Sequence, residues 1–471
     1  MLLCLPSPSP LVSTMSEKKK KKNSTRRSVV VVGESKKPQP LVEVEDIEDS
    51  LSFSKDETHK LRVALLDWYD LNRRDLPWRT TFKQEDEEVE RRAYGVWVSE
   101  VMLQQTRVQT VIAYYNRWMQ KWPTIHHLAQ ASLEEVNEMW AGLGYYRRAR
   151  FLLEGAKKIV AEGGQIPKVA SMLRNIPGIG EYTSGAIASI AFKEVVPVVD
   201  GNVVRVIARL RAISANPKDS ATIKKFWKLA AQLVDPVRPG DFNQALMELG
   251  ATVCTPLNPS CSSCPASEFC HALSNAKHDS TVAVTDYPVK GVKVKQRCDF
   301  SAVCVVELVG AETLNKNQSS SKFILVKRPE EGLLAGLWEF PSVLLDGEAV
   351  PLARREAMDR FLEKNLKIDI RKTCNIVLRE DIGEFVHIFS HIRLKLYVEL
   401  LVLQLKVGVD DLFKSPDNKT TWKCVYSNAL SSMGLTTSVR KVYNMVQNFK
   451  QKTLPSSHVP TKKRTRTTTR N

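Results

Sequence analysis

From Thr58 onward, apolar residues recur at helical spacing, with Leu61, Leu65, Trp68 and Leu71 on one predicted face. Patterns of the same period continue to about Leu273, interrupted by short turns such as Gly163-Gly164 and Asn216-Pro217. The charged stretch Lys83 to Arg92 reads as an inserted loop, and His278 to Gln296 carries no helical face. Beyond it the period changes. Ser301 to Val309, Phe323 to Val326 and His391 to Leu405 alternate partially and are rich in Val, Ile, Leu and Phe, which predicts strands, whereas Pro351 to Leu366 and Thr436 to Phe449 predict helices. The pattern therefore predicts a multidomain chain: a mainly α-helical domain over 58–275, a linker over 276–296 and an α+β domain over 297–449. No internal repeat is visible.

Composition changes the picture mainly at the ends. Of 471 residues, the net charge of +17 is concentrated in Lys18 to Lys22, Arg26, Arg27, Lys36 and Lys37, and in Lys462, Lys463, Arg464, Arg466 and Arg470. Such runs are too highly charged to pack, so residues 1–57 and 450–471 are expected to be disordered basic tails. They suit nuclear import and loose attraction to phosphate. The first sixteen residues lack acids and are rich in Ser and Pro, a composition compatible with an organelle transit peptide and hence an additional organelle pool. No stretch reaches the roughly 18 apolar residues of a membrane helix, so no membrane partner is expected.

Four of the nine cysteines form one cluster, Cys254, Cys261, Cys264 and Cys270, spaced C-x6-C-x2-C-x5-C. A single local cluster in a large basic chain points to metal rather than to a disulfide framework. Four thiolates suit tetrahedral zinc or an iron–sulfur cluster, but only Cys261 and Cys264 form the short pair usual in structural zinc sites.

Ile176-Pro177-Gly178-Ile179-Gly180 lies between two helical segments. Gly178 and Gly180 are expected to supply the positive-φ positions of a tight turn. The helix that follows, from about Glu181 to Phe192, would present free backbone N–H groups to a phosphate without reading sequence. Glu100 shares the apolar face of Val96, Trp97 and Leu103, so burial should raise its pKa into the range of a general acid. Asp200 follows the apolar run Val195 to Val199 and is placed to cap the next helix, an arrangement that should keep it ionised. A protonated and an ionised carboxyl are the pair required to cleave a glycosidic bond: one protonates the leaving group, and the other stabilises positive charge on the sugar or adds to it.

These residues stand in a series of motifs: Leu76-Pro77-Trp78-Arg79, Ser99 to Thr106, Gly142-Leu143-Gly144-Tyr145-Tyr146, the hairpin, Asp200-Gly201-Asn202 and the cysteine loop over 254–270. In that order they resemble MutY-type adenine DNA glycosylases, in the endonuclease III, or helix-hairpin-helix, superfamily. The resemblance implies a [4Fe–4S] cluster on the four cysteines and excision of adenine opposite 8-oxoguanine. It implies that Glu100 protonates adenine at N7 while Asp200 stabilises the oxocarbenium ion, with Tyr182 and Asn202 in support. Arg79 and Gln244 match adenine-contacting positions, and Gln105 and Tyr145 match residues that wedge into the base stack. Bifunctional relatives carry a lysine directly after the hairpin, where this chain has Tyr182. A phenol cannot form a Schiff base, so a monofunctional enzyme is expected. The implied partners are double-stranded DNA with A:8-oxoG or A:G mispairs and repair or replication proteins, with the chain acting as a monomer.

Residues 297–449 resemble the MutT-like, Nudix-related domain that ends such proteins. A working Nudix box needs G-x5-E-x7-R-E-U-x-E-E. Around Arg355-Glu356, this chain has Pro341 and Gly347 at the Gly and first Glu positions, and Asp359-Arg360 at the final acid pair. Pyrophosphate hydrolysis is therefore not expected, and recognition is the use left to the fold. Phe389-Ser390-His391 matches the family loop that senses 8-oxoguanine, and Gly332 to Pro341 matches a further family segment. The alternatives are a glycosylase/lyase acting on oxidised pyrimidines and a non-catalytic protein that binds damaged DNA.

Overall fold

The computed structural model describes residues 51–79, 86–289, 291, 295–309, 321–366, 372, 374–406 and 421–453. The basic runs Lys18–Lys22 and Lys462–Arg470 lie outside the described residues. In chain order the helices of the first part are α1 (Lys55–Asn72), α2 (Asp86–Leu103), α3 (Val108–Lys121), α4 (Ile125–Ala129), α5 (Leu133–Trp140), α6 (Arg147–Ala161), α7 (Ala170–Leu173), α8 (Glu181–Phe192), α9 (Gly201–Leu210), α10 (Ser220–Leu233), α11 (Pro239–Thr252) and α12 (His271–His278).

Order begins before Thr58. The Ser54 hydroxyl accepts from Glu57 N at 3.1 Å and caps α1, whose first turn carries Asp56 and Glu57 against the helix dipole. Phe53, just outside the helix, is already buried. The buried stripe of α1 is Thr58, Leu61, Leu65, Leu66 and Tyr69. Leu71, expected on that face, is 86% exposed because it lies on the opposite side of the helix from Tyr69, which is 1% exposed. The charged stretch expected as a loop is helical from Asp86 onward.

The chain divides into two compact units, the residues through Gln109 with Ile166–Gly291, and Thr110–Gln165 with the residues from Val292 on. Almost all of α3 to α6 clusters with the C-terminal part. Backbones pack closely within that second unit. A Cβ at Gly434 would lie 2.6 Å from Cα of Glu138 in α5, so only glycine lets the two backbones approach this far. Tyr146 Oη also donates to Leu435 O at 3.5 Å.

The first unit is built around Leu61, Leu65, Val203, Ile207, Phe226, Leu229, Phe242, Leu246 and Leu249, contributed by α1, α9, α10 and α11. Each fully buried side chain of this kind contributes about 1.5–3 kcal/mol. The Arg62 guanidinium ties α1 to the end of α10 by donating to the carbonyls of Gln232, Leu233 and Val234.

The second unit carries β1 (Arg297–Val309), β2 (Lys322–Lys327), β3 (Trp338–Glu339), β4 (Ser342–Leu345), α13 (Pro351–Leu366), β5 (Cys374–Ile388), β6 (Ile392–Leu405), β7 (Trp422–Tyr426), α14 (Ser427–Ser432) and α15 (Thr437–Thr453). The strands form one mixed sheet of order β3-β2-β1-β6-β5, with β4 also on β1 and β7 on β2. β1 and β6 run parallel, with Arg297 opposite Ile392 and Val309 opposite Gln404. Both faces of this pair are covered. Val303, Val305, Val398 and Leu400 pack toward Val439, Val442 and Val446 of α15. Cys304, Val306, Leu401 and Leu403 pack toward Met358, Leu362 and Leu366 of α13. Burial on both faces explains why these strands read as near-continuous apolar runs. Among the described residues no helix is long and apolar enough to cross a membrane.

Candidate active site and cysteine centre

The first unit gathers most of the candidate residues. α2 carries Glu100, which is 6% exposed, against buried Val96 and Trp97. At the start of α8, Tyr182 Oη donates to Glu100 Oε2 at 2.5 Å. Burial pushes the Glu100 carboxyl up to about 7; the Tyr182 hydrogen bond pulls it down, the Asp200 charge pushes it up and Arg79 pulls it down. Glu100 is therefore partly protonated near neutral pH, as expected of a proton donor.

Asp200 is the N-cap of α9. Its Oδ1 accepts from Asn202 N at 2.9 Å and Val203 N at 2.7 Å, and its Oδ2 accepts from Asn202 Nδ2 at 2.8 Å. The cap forms as the sequence predicts. Burial raises the Asp200 pKa and outweighs the three hydrogen bonds that favour the carboxylate. The two carboxyls are still set apart, because Glu100 has one donor and Asp200 has three. Asn202 continues the chain of contacts: its Oδ1 accepts from Arg205 Nη2 at 2.8 Å, and Arg205 Nε donates to the Cys254 carbonyl at 2.8 Å. A continuous hydrogen-bonded path thus runs from Asp200 to the first cysteine of the loop.

Arg79 and Gln244 occupy the same unit. Gln244 is buried on α11, and its Nε2 donates to Gly240 O at 3.3 Å within that helix. Arg79 Nη2 donates to Glu248 Oε2 at 2.8 Å, and Arg74 grips the same carboxylate through Nε at 2.6 Å and Nη2 at 2.8 Å. Arg79 Nε is buried without a hydrogen-bond partner among the described residues. Sequence reasoning missed Glu248 and Arg74. Glu248 sits one helical turn beyond Gln244, but a single acid on a helix ordinarily reads as solvated. It is 1% exposed. Burial opposes its ionisation, but the hydrogen bonds from Arg74 and Arg79 prevail and hold its carboxyl at about 2. Tyr182 Oη also lies 3.4 Å from Met247 Sδ, which places α11 beside the carboxyl pair.

Glu248→Ala should destabilise the protein by about 3 kcal/mol, the low end for breaking a buried pair, because Arg74 is partly exposed. The carboxyl of Glu248 is held below its ordinary value of 4.5, so its contribution is complete above that pH and is lost as pH falls towards 2. Urea unfolding from pH 5 to 2.5 reads this directly. A wild-type acid slope identical to that of Glu248→Gln contradicts the assignment.

The hairpin departs from expectation in one respect. Gly178 has φ +79° and occupies the left-handed region, but Gly180 has φ −93° and ψ −174°. Gly180 is the N-cap of α8, and a Cβ there would meet nothing within 4 Å, so the backbone at this helix start stands open. Two of the expected wedge residues share a feature the sequence did not show. Gln105 and Tyr145 both have left-handed backbones, with φ of 55° and 49°, a conformation that costs non-glycine residues about 1–3 kcal/mol. Both side chains are exposed, Gln105 at a turn in the first unit and Tyr145 at a turn in the second.

The four cysteines line one cavity together with Arg209, Pro259, Leu273 and Val284. They ring a space rather than converge on a point: among the described residues no three His, Cys, Asp or Glu side chains group around a single ion. Four thiols are a donor set that suits an iron–sulfur cluster or a tetrahedral zinc. The cavity wall contributes a buried cation that the sequence reading did not single out. Arg209 is 2% exposed and donates to Cys254 Sγ at 3.3 Å, Thr255 O at 2.8 Å and Tyr287 O at 3.2 Å. It sits where the charge of a thiolate would need compensation.

In the second unit, Phe389, Ser390 and His391 form the turn between β5 and β6, closed by Phe389 N donating to Ile392 O at 2.8 Å. The Nudix-box residues Arg355 and Asp359 are engaged by charged residues of β5 and β6. Arg355 Nε donates to Glu399 Oε2 at 2.8 Å, and Arg379 bridges Glu399 and Asp359. Leu334 in the segment Gly332–Pro341 has φ of 57°, within a turn flanked by Gly332 and Gly336.

A buried carboxyl pair beside a hairpin with an exposed helix start, followed by a cysteine cavity, is an arrangement of the helix-hairpin-helix class, and residues 98–232 match the model of the HhH-GPD superfamily base excision DNA repair proteins. Residues 315–445 match that of the NUDIX domain. The chain belongs to the adenine DNA glycosylase family. It is 61% identical to an adenine DNA glycosylase of Arabidopsis thaliana over 84% of this chain and 65% of the relative, so it spans just under two thirds of that protein. It is 44% identical to that of Mus musculus over 84% of this chain and 79% of the relative. The protein of the same name in Homo sapiens is 46% identical, over 74% of this chain and 68% of the relative.

Proposed function

We propose that the chain removes adenine paired with 8-oxoguanine, or with guanine, from double-stranded DNA by hydrolysing its N-glycosidic bond. The observation that carries this reading is the buried Glu100–Tyr182 pair beside Asp200, with the Glu100 carboxyl at about 7. Glu100 transfers its proton to adenine N7, the C1′–N9 bond breaks with its electrons passing to the base, and Asp200 stabilises the positive charge left on the sugar. Water then adds at C1′ and loses a proton. Tyr182 and Asn202 hold the two carboxyls in place. Arg79, whose buried Nε has no partner among the described residues, and Gln244 supply polar contacts to the extruded adenine. Gln105 and Tyr145 fill the stack that the base leaves, and the backbone at Gly178 and Gly180 holds a phosphate.

Tyr182 in place of a lysine supports a monofunctional reaction. The cysteine loop is read as holding a [4Fe–4S] cluster through Cys254, Cys261, Cys264 and Cys270, which would cross-link the loop and leave the chemistry to Glu100 and Asp200. Phe389, Ser390 and His391 are read as the contact to the base opposite adenine. Nuclear import through the basic tails, with an additional organelle pool, and function as a monomer complete the reading.

The test is single-turnover reaction of the full chain with a duplex carrying adenine opposite 8-oxoguanine. Free adenine should appear while the strand stays intact until alkali is added, and borohydride should capture no covalent complex. Robust capture that disappears on changing one lysine overturns the monofunctional assignment. The same preparation should contain stoichiometric iron and sulfide; stoichiometric zinc without a visible chromophore overturns the cluster.

A further inference from the structure

The turn at Phe389–His391 is braced from two sides by residues that play no part in the roles described so far. His387 lies near the end of β5, two residues before Phe389, which opens the turn. Their rings meet edge to face, with centroids 4.6 Å apart and planes at 68°. On the other side, Gln296 Nε2 donates to Phe389 O at 3.0 Å and to Ser390 O at 3.4 Å. Arg297 N donates to His391 O at 3.1 Å. All three turn carbonyls are therefore satisfied from the segment that opens β1, and the turn offers its side chains outward, with Ser390 and His391 exposed.

β5 is an edge strand of the sheet, with β6 as its strand partner. The far end of such a hairpin is held only by its own pairing unless something else fixes it. Here Lys441 of α15 covers β5, its Nζ 4.2 Å from the centre of the Phe385 ring. Burial and the Lys441 charge lower the His387 pKa, which favours the neutral ring in contact with Phe389.

We infer that His387 and Gln296 are positioning residues for base recognition: His387 fixes the Phe389 ring and Gln296 fixes the turn backbone, and together they set the preference for 8-oxoguanine over guanine opposite adenine. The inference rests on the reading of Phe389–His391 as the contact to that base. A side chain that reads a small chemical difference must be held in one geometry before it binds, because ordering it at the moment of binding costs selectivity along with affinity.

The experiment measures the Kd of the full chain, in a Glu100→Gln background that leaves the duplex intact, for adenine opposite 8-oxoguanine and for adenine opposite guanine. The Kd for adenine opposite guanine divided by that for adenine opposite 8-oxoguanine is the readout. His387→Ala and Gln296→Ala should each reduce that ratio by about tenfold, chiefly by weakening the 8-oxoguanine complex. His387→Phe keeps an aromatic edge against Phe389 and should restore the ratio. Gln296→Glu keeps the size but loses the donor, and should behave like Gln296→Ala. An unchanged ratio in both alanine variants overturns the inference, and so does equal weakening of both complexes, which would mark a general structural role. Phe389→Ala separates the two levels. If it too leaves the ratio unchanged, the reading of the turn fails. If it collapses the ratio while the His387 and Gln296 variants keep it, the inference alone fails.

Discussion

Glu100→Gln should lower single-turnover adenine excision roughly a thousandfold while leaving duplex affinity close to that of the wild type, the range expected when a positioned general acid is lost. The amide keeps the shape of the side chain and can still accept from Tyr182, but it has no proton to give to the leaving base. The pH profile provides the sharper reading. With its carboxyl at about 7, Glu100 is protonated and competent below that pH, so the wild-type rate should hold on the acid side and fall as pH rises through 7. Tyr182 donates to the carboxylate and so favours the ionised form. Its removal in Tyr182→Phe should raise the Glu100 pKa further and move the falling limb to higher pH. Excision by Glu100→Gln within tenfold of the wild type, or a limb that moves to lower pH in Tyr182→Phe, would assign the proton to another group.

Asp200→Asn should cost a similar factor for a different reason. The oxocarbenium ion needs a negative charge beside it, and an amide supplies only a dipole. The substitution also has a local consequence. Asn202 Nδ2 donates to Asp200 Oδ2, and Asn202 Oδ1 is held by Arg205. An Asn at 200 that keeps Oδ1 as the cap acceptor turns its own N–H groups toward Asn202, donor against donor. Asn202 cannot relieve this by flipping without abandoning Arg205, so part of the effect passes to the path that ends at the Cys254 carbonyl. Excision should fall by about 10^3 while the N-cap, and with it most of the stability of α9, survives. The double variant Glu100→Gln/Asp200→Asn should be little worse than either single one, because the two carboxyls act as a unit. Additive losses would mean that they serve separate steps.

Much of the site could be read in the sequence because local rules specify it. An acid sharing one helix face with Val96, Trp97 and Leu103 is expected to be buried, and an Asp before Gly201-Asn202 is a cap by residue type alone. The cysteine spacing is likewise local. What stayed hidden depends on contacts distant in sequence. Glu248 is 174 residues from Arg74 and 169 from Arg79, and only folding makes it a buried counter-charge for both. Arg209 reads as one more cation on α9 until the loop from Cys254 to Cys270 closes over it. The upward shift of Asp200 was missed for the same reason, since its hydrogen bonds are local and its burial is not. Strand β5 went unseen because it is an edge strand broken by register shifts at Ile376/Leu378 and Asp381/Gly383, so its sequence shows no sustained alternation. The division into two units was hidden as well. The close approach of Gly434 to α5 is another such contact, and nothing in a helical pattern shows it.

The most direct test of the account is product analysis after one turnover with three duplexes, carrying adenine opposite 8-oxoguanine, adenine opposite thymine, and an oxidised pyrimidine opposite guanine. The account predicts free adenine from the first duplex alone, with an abasic strand that breaks only in alkali, and no release from the other two. Release of the oxidised pyrimidine with spontaneous strand opening, and adenine left in place opposite 8-oxoguanine, would contradict it.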